Sequence, residues 1–563
     1  MTTLPTLAIS MLSILVVAWW WNDTEDEIVQ QKRAEQARIR QQWLSREAPP
    51  PLPAERCVLA LREQLRQGTV RPTDVTEHAI RKACVAGAAY CCVTEQPFEE
   101  AMRRAAALQC RPGGPEGLLW GLPVTVKDSV HMAGYDSSCG TTARCGRPQE
   151  EDGDIVSAIY RLGGVVVAKS NVPQMMMLPE SSNRIWGTAK NPWNPARTPG
   201  GSTGGEGVLL AVGVSALGIG TDIGGSLRIP AVWCGVCGFL PTPRRLSHRG
   251  AATISASGFC GNDVIVPSIG PMARTVEGLA LGMEALSAVE SSDRTHRRQP
   301  WCADKVTTWS TARKVRVGWA ESCSFFETCP TARRAVRESV QRLRQAGHDV
   351  VELPPIPMER IVELYYGILS AEGGMRSYRE ALQGEKLAPA YRSLLRMASV
   401  PAALRPVLAA LLPPRMALLL RCTGGKTAYE FFQWVEALQQ LRQQLLAEWF
   451  GKADVLLTPG PALPALPHGM SKELTPSFCY TFMANVLQMP TAVIPTTVVH
   501  ADECTYVSAH RDRYTTLAQE SMAGAAGMPM GVQVSAAPHM DEMCIGMALQ
   551  LQRLHPPFPA PPS

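Results

Sequence analysis

A large excess of either charge is missing from this chain. Its 563 residues carry 55 Lys and Arg against 50 Asp and Glu, an excess of +5. That is too little for the basic footprint of a nucleic-acid binder of this length. Long apolar runs are also scarce: one stretch alone is long enough to consider as a span, which excludes a polytopic membrane protein. Charged residues make up 19% of the chain and hydrophobic residues 45%, a balance that excludes a mainly disordered polymer. The 17 cysteines are too sparse for a disulfide scaffold. Their odd number and scattered spacing read as reduced thiols in a reducing compartment. Glycine and proline are well supplied but lack the period of collagen.

The one apolar run is Leu4–Trp21, 18 residues without a charge. At helical rise it spans about 27 Å, enough for a thin hydrocarbon core. Trp19, Trp20 and Trp21 would then sit at the interface. No Lys or Arg precedes the run and bulky Trp closes it, which disfavours a cleaved signal peptide. We therefore expect a retained transmembrane anchor over 4–21. Lys32, Arg33, Arg38, Arg40, Arg46 and Arg56 follow it, so the positive-inside rule puts the rest of the chain in the cytosol. Residues 22–51 are polar and helical in pattern up to Pro49–Pro51, and read as a stalk.

From Leu52 to Leu554 there is no clear linker and no internal repeat. Gly121–Val126, Val165–Ala168, Val455–Thr458, Thr491–Pro495 and Gly531–Ser535 read as strands. Thr331–Ala346 and Tyr429–Phe450 read as helices. Strands interleaved with helices predict one α/β body with a central sheet. The ending HPPFPAPPS (555–563) reads as a frayed Pro-rich tail.

Pro199–Pro230 carries the chemistry. It holds ten Gly and five Ser or Thr. It lacks the Gly-Lys-Ser/Thr of a P-loop, and Ile223 stands where a dinucleotide fingerprint needs its third Gly. Gly200–Gly204 spells G-x-S-x-G, but a Pro-rich loop precedes it where a nucleophile elbow requires a strand. There remains Asp222-Ile-Gly-Gly-Ser226, a turn whose successive N–H groups can converge on one point. Such a nest can hold the oxyanion of an acyl-transfer intermediate beside Ser226. A lone turn of this kind would be read as structural. Of the ten histidines, His248 alone lies near the block. Cys234-Gly-Val-Cys237 has metal-site spacing but no second pair, and reads as buried thiols.

The turn is accompanied by GGSTGGE from Gly200, GTDIGGS from Gly220 and GLPVTVKD ending at Asp128. In this order and spacing, these motifs resemble the amidase signature family. NVPQ at Asn171, NPW at Asn191, CGVCGF at Cys234 and GPMAR at Gly270 extend the likeness over nearly the whole chain. With the N-terminal run included, it is most similar to the animal, integral-membrane fatty acid amide hydrolases of that family. The resemblance implies a mixed twisted sheet covered by helices over 52–554 and a Ser-Ser-Lys mechanism. Ser226 would be the nucleophile and Ser202, after a cis peptide, the bridging serine. Lys127 would begin and end the proton relay. Ile223, Gly224, Gly225 and Ser226 would supply oxyanion-hole N–H groups. A serine hydroxyl needs a base, and lysine is one only when neutral, as burial favours. Asp128 should point away from Lys127 across the strand, and Asp222 should orient the loop rather than act as a base.

Pro389–Lys426 holds six cations (Arg392, Arg396, Arg405, Arg415, Arg421, Lys426) and no Asp or Glu. That single segment exceeds the net charge of the whole chain. Apolar residues lie between the cations, and prolines break the segment into pieces too short to span a bilayer. It reads as an interfacial element, and a buried hairpin is disfavoured because buried charges need partners. The resemblance implies a membrane-binding cap at 389–426, with the middle of the run Met175–Met177, Met176, on the acyl-binding wall. It also implies fatty acid amides (N-acylethanolamines such as anandamide, and primary amides such as oleamide) drawn from membrane lipid. Endomembrane placement, expected at the endoplasmic reticulum, and a homodimer complete the expectation, with no metal, organic cofactor or nucleic acid. A broad-specificity amidase and a catalytically decayed membrane scaffold are the rival readings.

Overall fold

In the computed structural model, twelve strands are β1 (Pro123–Lys127), β2 (Val165–Ser170), β3 (Ser182–Asn183), β4 (Gly187–Thr188), β5 (Leu217–Asp222), β6 (Cys237–Leu240), β7 (Ser268–Ala273), β8 (Arg316–Trp319), β9 (Asp349–Glu352), β10 (Val455–Pro459), β11 (Thr491–Val498) and β12 (Pro529–Ala536). The structure describes residues 26–52, 57–110, 116–252, 263–291, 293, 296 and 299–562. Ten strands form one mixed sheet in the order β2-β1-β5-β7-β6-β11-β12-β10-β8-β9, and β3 and β4 make a small hairpin. Each of the five segments read as strands overlaps one of these, with Gly121 and Leu122 lying ahead of β1. The two segments read as helices are Pro330–Gln345 and Ala428–Lys452. The second opens on a capping box in which Thr427 and Glu430 satisfy each other's N–H groups.

β1 runs parallel to both β2 and β5. Every residue of β1 and β2 is buried, as expected of parallel strands covered on both faces. Val124 and Val126 belong to the same buried cluster as Ile155, Ile159 and Leu279. The alternation of a strand therefore turns Thr125 and Lys127 to the other face, where Thr125 meets Glu206 of the Gly204–Ala211 helix. A lysine is thus carried into the interior because β1 has no solvent-facing side.

Residues 26–44 form a helix, but it does not stand off as a stalk. Trp43 is 1% exposed and meets Phe98 edge-on at 5.9 Å. Lys32 reaches Glu95 and Asp136, each at 2.8 Å. The helix is therefore part of the body. Trp43→Ala is expected to cost about 3–5 kcal/mol, the usual loss for a buried Trp, read as a lower denaturation midpoint. The tail differs too. Phe558 packs on Trp193 with ring centroids 5.6 Å apart, so the tail touches the body at that residue through an aromatic contact that composition does not reveal. The anchor expected over 4–21 lies outside the described residues. Among those described, no helix is long and apolar enough to cross a membrane. The sixteen described cysteines are all free.

Candidate active site

Lys127 ends β1 and is 0% exposed. Its Nζ lies 2.7 Å from Ser202 Oγ and 2.8 Å from Thr221 Oγ1, with Thr221 O at 3.4 Å. Burial draws its pKa down to about 7, outweighing the neighbouring acidic groups Asp222, Cys139, Asp128 and Glu206, which act to raise it. Near neutrality much of it is therefore an amine with a free lone pair. Asp128 points away as expected, accepting from Ser138 Oγ at 2.9 Å and Cys139 N at 2.6 Å. Lys169, also fully buried, turns elsewhere, to Asp136 O and Ser137 Oγ. Its position one strand over separates it from the Ser202 site, a distinction invisible in the sequence.

Ser202 follows the Gly201–Ser202 peptide, which is cis. Thr203 N donates to Ser226 O at 3.2 Å, tying the two serine-bearing loops together. Ser226 is half-buried, and among the described residues its Oγ has no recorded hydrogen bond. The structure thus joins Lys127 to Ser202 directly and brings Ser226 alongside through the backbone.

β5 ends at Asp222 and turns through Ile223–Ser226. Gly225 has φ 118°, and a Cβ there would stand 2.4 Å from Thr481 Oγ1, so no side chain is tolerated. Asp222 Oδ1 accepts from Gly225 N at 2.7 Å, Arg228 Nη2 at 3.0 Å and Asn485 Nδ2 at 3.1 Å. Its Oδ2 accepts from Leu227 N at 3.0 Å and Arg228 Nε at 3.1 Å. Burial alone would raise this carboxyl, but Arg228 and the N–H donors outweigh it and hold it below the usual range. Asp222 is a buried ionised brace with no free lone pair to spare for a substrate proton. The expectation for Gly225 is corrected accordingly: its N–H is already donated to Asp222. Ile223, Gly224 and Ser226 keep N–H groups with no recorded acceptor among the described residues.

Met176 and Met177 are half-buried beside buried Met175. Met175 and Met176 have φ of 52° and 62°, a left-handed conformation unusual for such residues. The run packs in one apolar cluster with Tyr391, Leu394 and Leu395 of the cationic segment. That segment is itself divided. Arg415 is buried and paired with Asp512 at 2.5 Å. Buried Arg405 donates to Val400 O at 2.9 Å. Lys426 donates to Cys422 O at 2.9 Å and stands over the Trp434 ring at 4.5 Å. Lack of acids within the segment therefore did not keep Arg405 and Arg415 out of the interior, and Lys426 is half-buried. Their partners are carbonyls, an aromatic face and a carboxylate almost a hundred residues away. Arg392, Arg396 and Arg421 stay exposed, as do Leu404, Val407, Leu408 and Leu411.

Cys234 and Cys237 are fully buried, and burial pushes both thiols up. No group of three or more potential metal ligands occurs among the described residues. Burial lowers the pKa of His248 to about 4, so it stays neutral. Thr221 and Glu206 do not stand out in the sequence as site residues. Thr221 lies inside the GTDIGGS motif, and strand alternation placing it on the Asp222-opposite face was the available signal.

The family model for Amidase matches residues 74–545. The chain belongs to the amidase family. This amidase is 32% identical over 504 residues to fatty-acid amide hydrolase 1 of Sus scrofa, covering 88% of this chain and 85% of that protein. It is 30% identical over 499 residues to fatty acid amide hydrolase 1 of Caenorhabditis elegans, covering 86% and 85%. A solved structure of a fatty acid amide hydrolase superposes with a TM-score of 0.77 at 22% identity, covering 94% of the amidase and 96% of that chain. The last likeness establishes the shared α/β fold.

Proposed function

We propose that this amidase is a membrane-associated serine hydrolase that cleaves fatty acid amides to a fatty acid and an amine. The observation that carries the chemistry is buried Lys127, 2.7 Å from Ser202 and lowered to about 7, beside the loop that bears Ser226. Neutral Lys127 takes the proton of Ser202, which takes that of Ser226. Ser226 Oγ then attacks the acyl carbon. The N–H groups of Ile223, Gly224 and Ser226 receive the oxyanion. Lys127 returns the proton through Ser202 to the departing nitrogen, which would otherwise leave as a poor amide anion. Water reverses the sequence on the acyl-enzyme. No step calls for a metal or an organic cofactor.

A lipid substrate is supported by the apolar cluster that joins Met176 and Met177 to Leu394 and Leu395. It is supported too by exposed leucines and arginines in the same segment, a composition suited to an anionic lipid surface. Both relatives named above are fatty acid amide hydrolases. N-acylethanolamines and primary amides such as oleamide, endomembrane residence with a cytosolic body, and a homodimer belong to the same reading.

The test is a panel of acyl amides of graded chain length, run beside short aryl and glutamine amides, with fluorophosphonate labelling mapped by mass spectrometry. Label on Ser226 and a preference for long acyl chains are expected. Equal turnover of short amides would make this a broad-specificity amidase. Absence of labelling with no turnover would mark a decayed enzyme.

A further inference from the structure

Gln174 opens the turn Gln174–Met176 and is buried, yet none of the proposed chemistry uses it. Its amide is spent on one stretch of chain at the entrance to the cationic segment. Nε2 donates to Glu385 Oε1 at 2.9 Å and to Lys386 O at 3.0 Å, and Oε1 accepts from Ala388 N at 2.8 Å. The main-chain carbonyl of Gln174 is engaged there too. It accepts from the Tyr391 hydroxyl and, at 3.3 Å, from that of Tyr378, both tyrosines being buried. The amide cannot be turned round: its NH₂ would then face the Ala388 N–H, and its oxygen a carboxyl and a carbonyl. Glu385 closes the circuit, because its Oε2 accepts from Thr142 N at 2.6 Å. Met175 N donates to Cys139 O at 2.7 Å. The turn is thus tied both to residues 139–142 and to residues 385–391.

The residues that follow show what the ties accomplish. Met175 and Met176 both hold a positive φ, a conformation that persists only where the surroundings over-determine it. The bonds of Gln174 and Met175 supply that constraint. Methionine side chains are pliable, so the shape of a wall built from them depends on where the backbone holds their Cα atoms. Met176 and Met177 pack in the same apolar cluster as Leu394 and Leu395, and the latch joins the two backbones that carry them. Among the described residues, no hydrogen bond joins Gln174 to Lys127, Ser202 or Ser226.

We propose that Gln174 is a positioning residue for substrate specificity: by latching its turn to residues 385–391 it holds Met176 against the cationic segment, and so sets how firmly long acyl chains are gripped. The inference rests on the proposed function, in particular on Met176 as part of the acyl-binding wall. A chain long enough to reach the wall feels the latch, and a short one ends before it. Loss of the latch therefore penalises substrates in proportion to their length, whereas a merely structural fault penalises all of them alike.

The test is a series of straight-chain acyl amides from butyryl to palmitoyl, turned over by the full chain and two variants. Gln174→Met keeps the length of the side chain and removes its hydrogen bonds. Tyr391→Phe keeps the ring and removes one donor to Gln174 O. The palmitoyl-to-butyryl ratio of kcat/KM is independent of how much of the enzyme is folded. It should fall ~10-fold in Gln174→Met, mainly through a higher KM for the long chain, and in the same direction by ~3-fold in Tyr391→Phe. A folded Gln174→Met enzyme with the wild-type ratio overturns the proposal. Should that variant not fold, an unchanged ratio in Tyr391→Phe overturns it. A wild-type chain with no preference for palmitoyl over butyryl overturns the proposed function and this inference with it, whereas a wild-type preference kept by both variants overturns the inference alone.

Discussion

Lys127→Ala is expected to lower kcat/KM for an acyl amide by ~10³-fold or more, the scale of a lost general base that also serves as the acid. Its acid limb near pH 7 should vanish with it. Burial is the largest cause of the lowered pKa of Lys127, and the neutral amine is the active form. Wild-type activity should therefore rise with pH through about 7 and fall away below it. Ester turnover should drop by a similar or smaller factor, because an alkoxide leaves without the returned proton more readily than an amine anion. Ser226→Ala should abolish turnover and fluorophosphonate labelling, since it removes the attacking oxygen. The two losses should not add, as groups of one relay act together. A Lys127→Ala enzyme with full amide activity, or an acylating probe attached only to another residue, would sink the assignment.

The sequence carried much of this arrangement, and its limits have physical causes. Gly200–Glu206, Gly220–Ser226 and Lys127 stand out because acyl transfer needs glycines, hydroxyls and a base in a tight order. The five expected strands were legible as short apolar runs with flanking turns. Burial of charge was not. Arg415 looked lipid-facing because its own segment has no acid, while Asp512 lies in a different part of the chain. The helix of residues 26–44 looked solvated because its charged residues and glutamines together outnumber its apolar residues, yet Trp43 and Lys32 anchor it. Gly225 looked like a free donor because the sequence does not show where the Asp222 carboxylate points. Glu206 sits in the signature motif itself, but the sequence does not show that its carboxyl turns onto Thr125 of β1.

Asp222→Asn should show how far the oxyanion loop depends on its ionised brace. Asp222 and Arg228 are both 0% exposed in their side chains and 3.0 Å apart. Removing the negative charge leaves Arg228 buried with only the neutral acceptors Gln533, at 2.9 Å, and Asn485, at 2.6 Å. Breaking such a pair costs about 3–5 kcal/mol, so a large fall in the denaturation midpoint is expected. The activity loss should exceed what the lower stability explains at a temperature where the variant is still folded. An asparagine can present one acceptor oxygen, but its amide must face another of the five donors, and the Gly225 and Leu227 N–H groups then compete for it. Whichever is released lets the Ile223–Ser226 turn relax, and a displacement below 1 Å is enough to spoil oxyanion geometry. A fall confined to kcat, with KM nearly unchanged, is the expected pattern for an interaction felt in the transition state. Arg228→Met should resemble it, because Asp222 then remains as the uncompensated charge. If Asp222→Asn kept wild-type kcat while losing stability, the loop would owe its shape to its glycines alone.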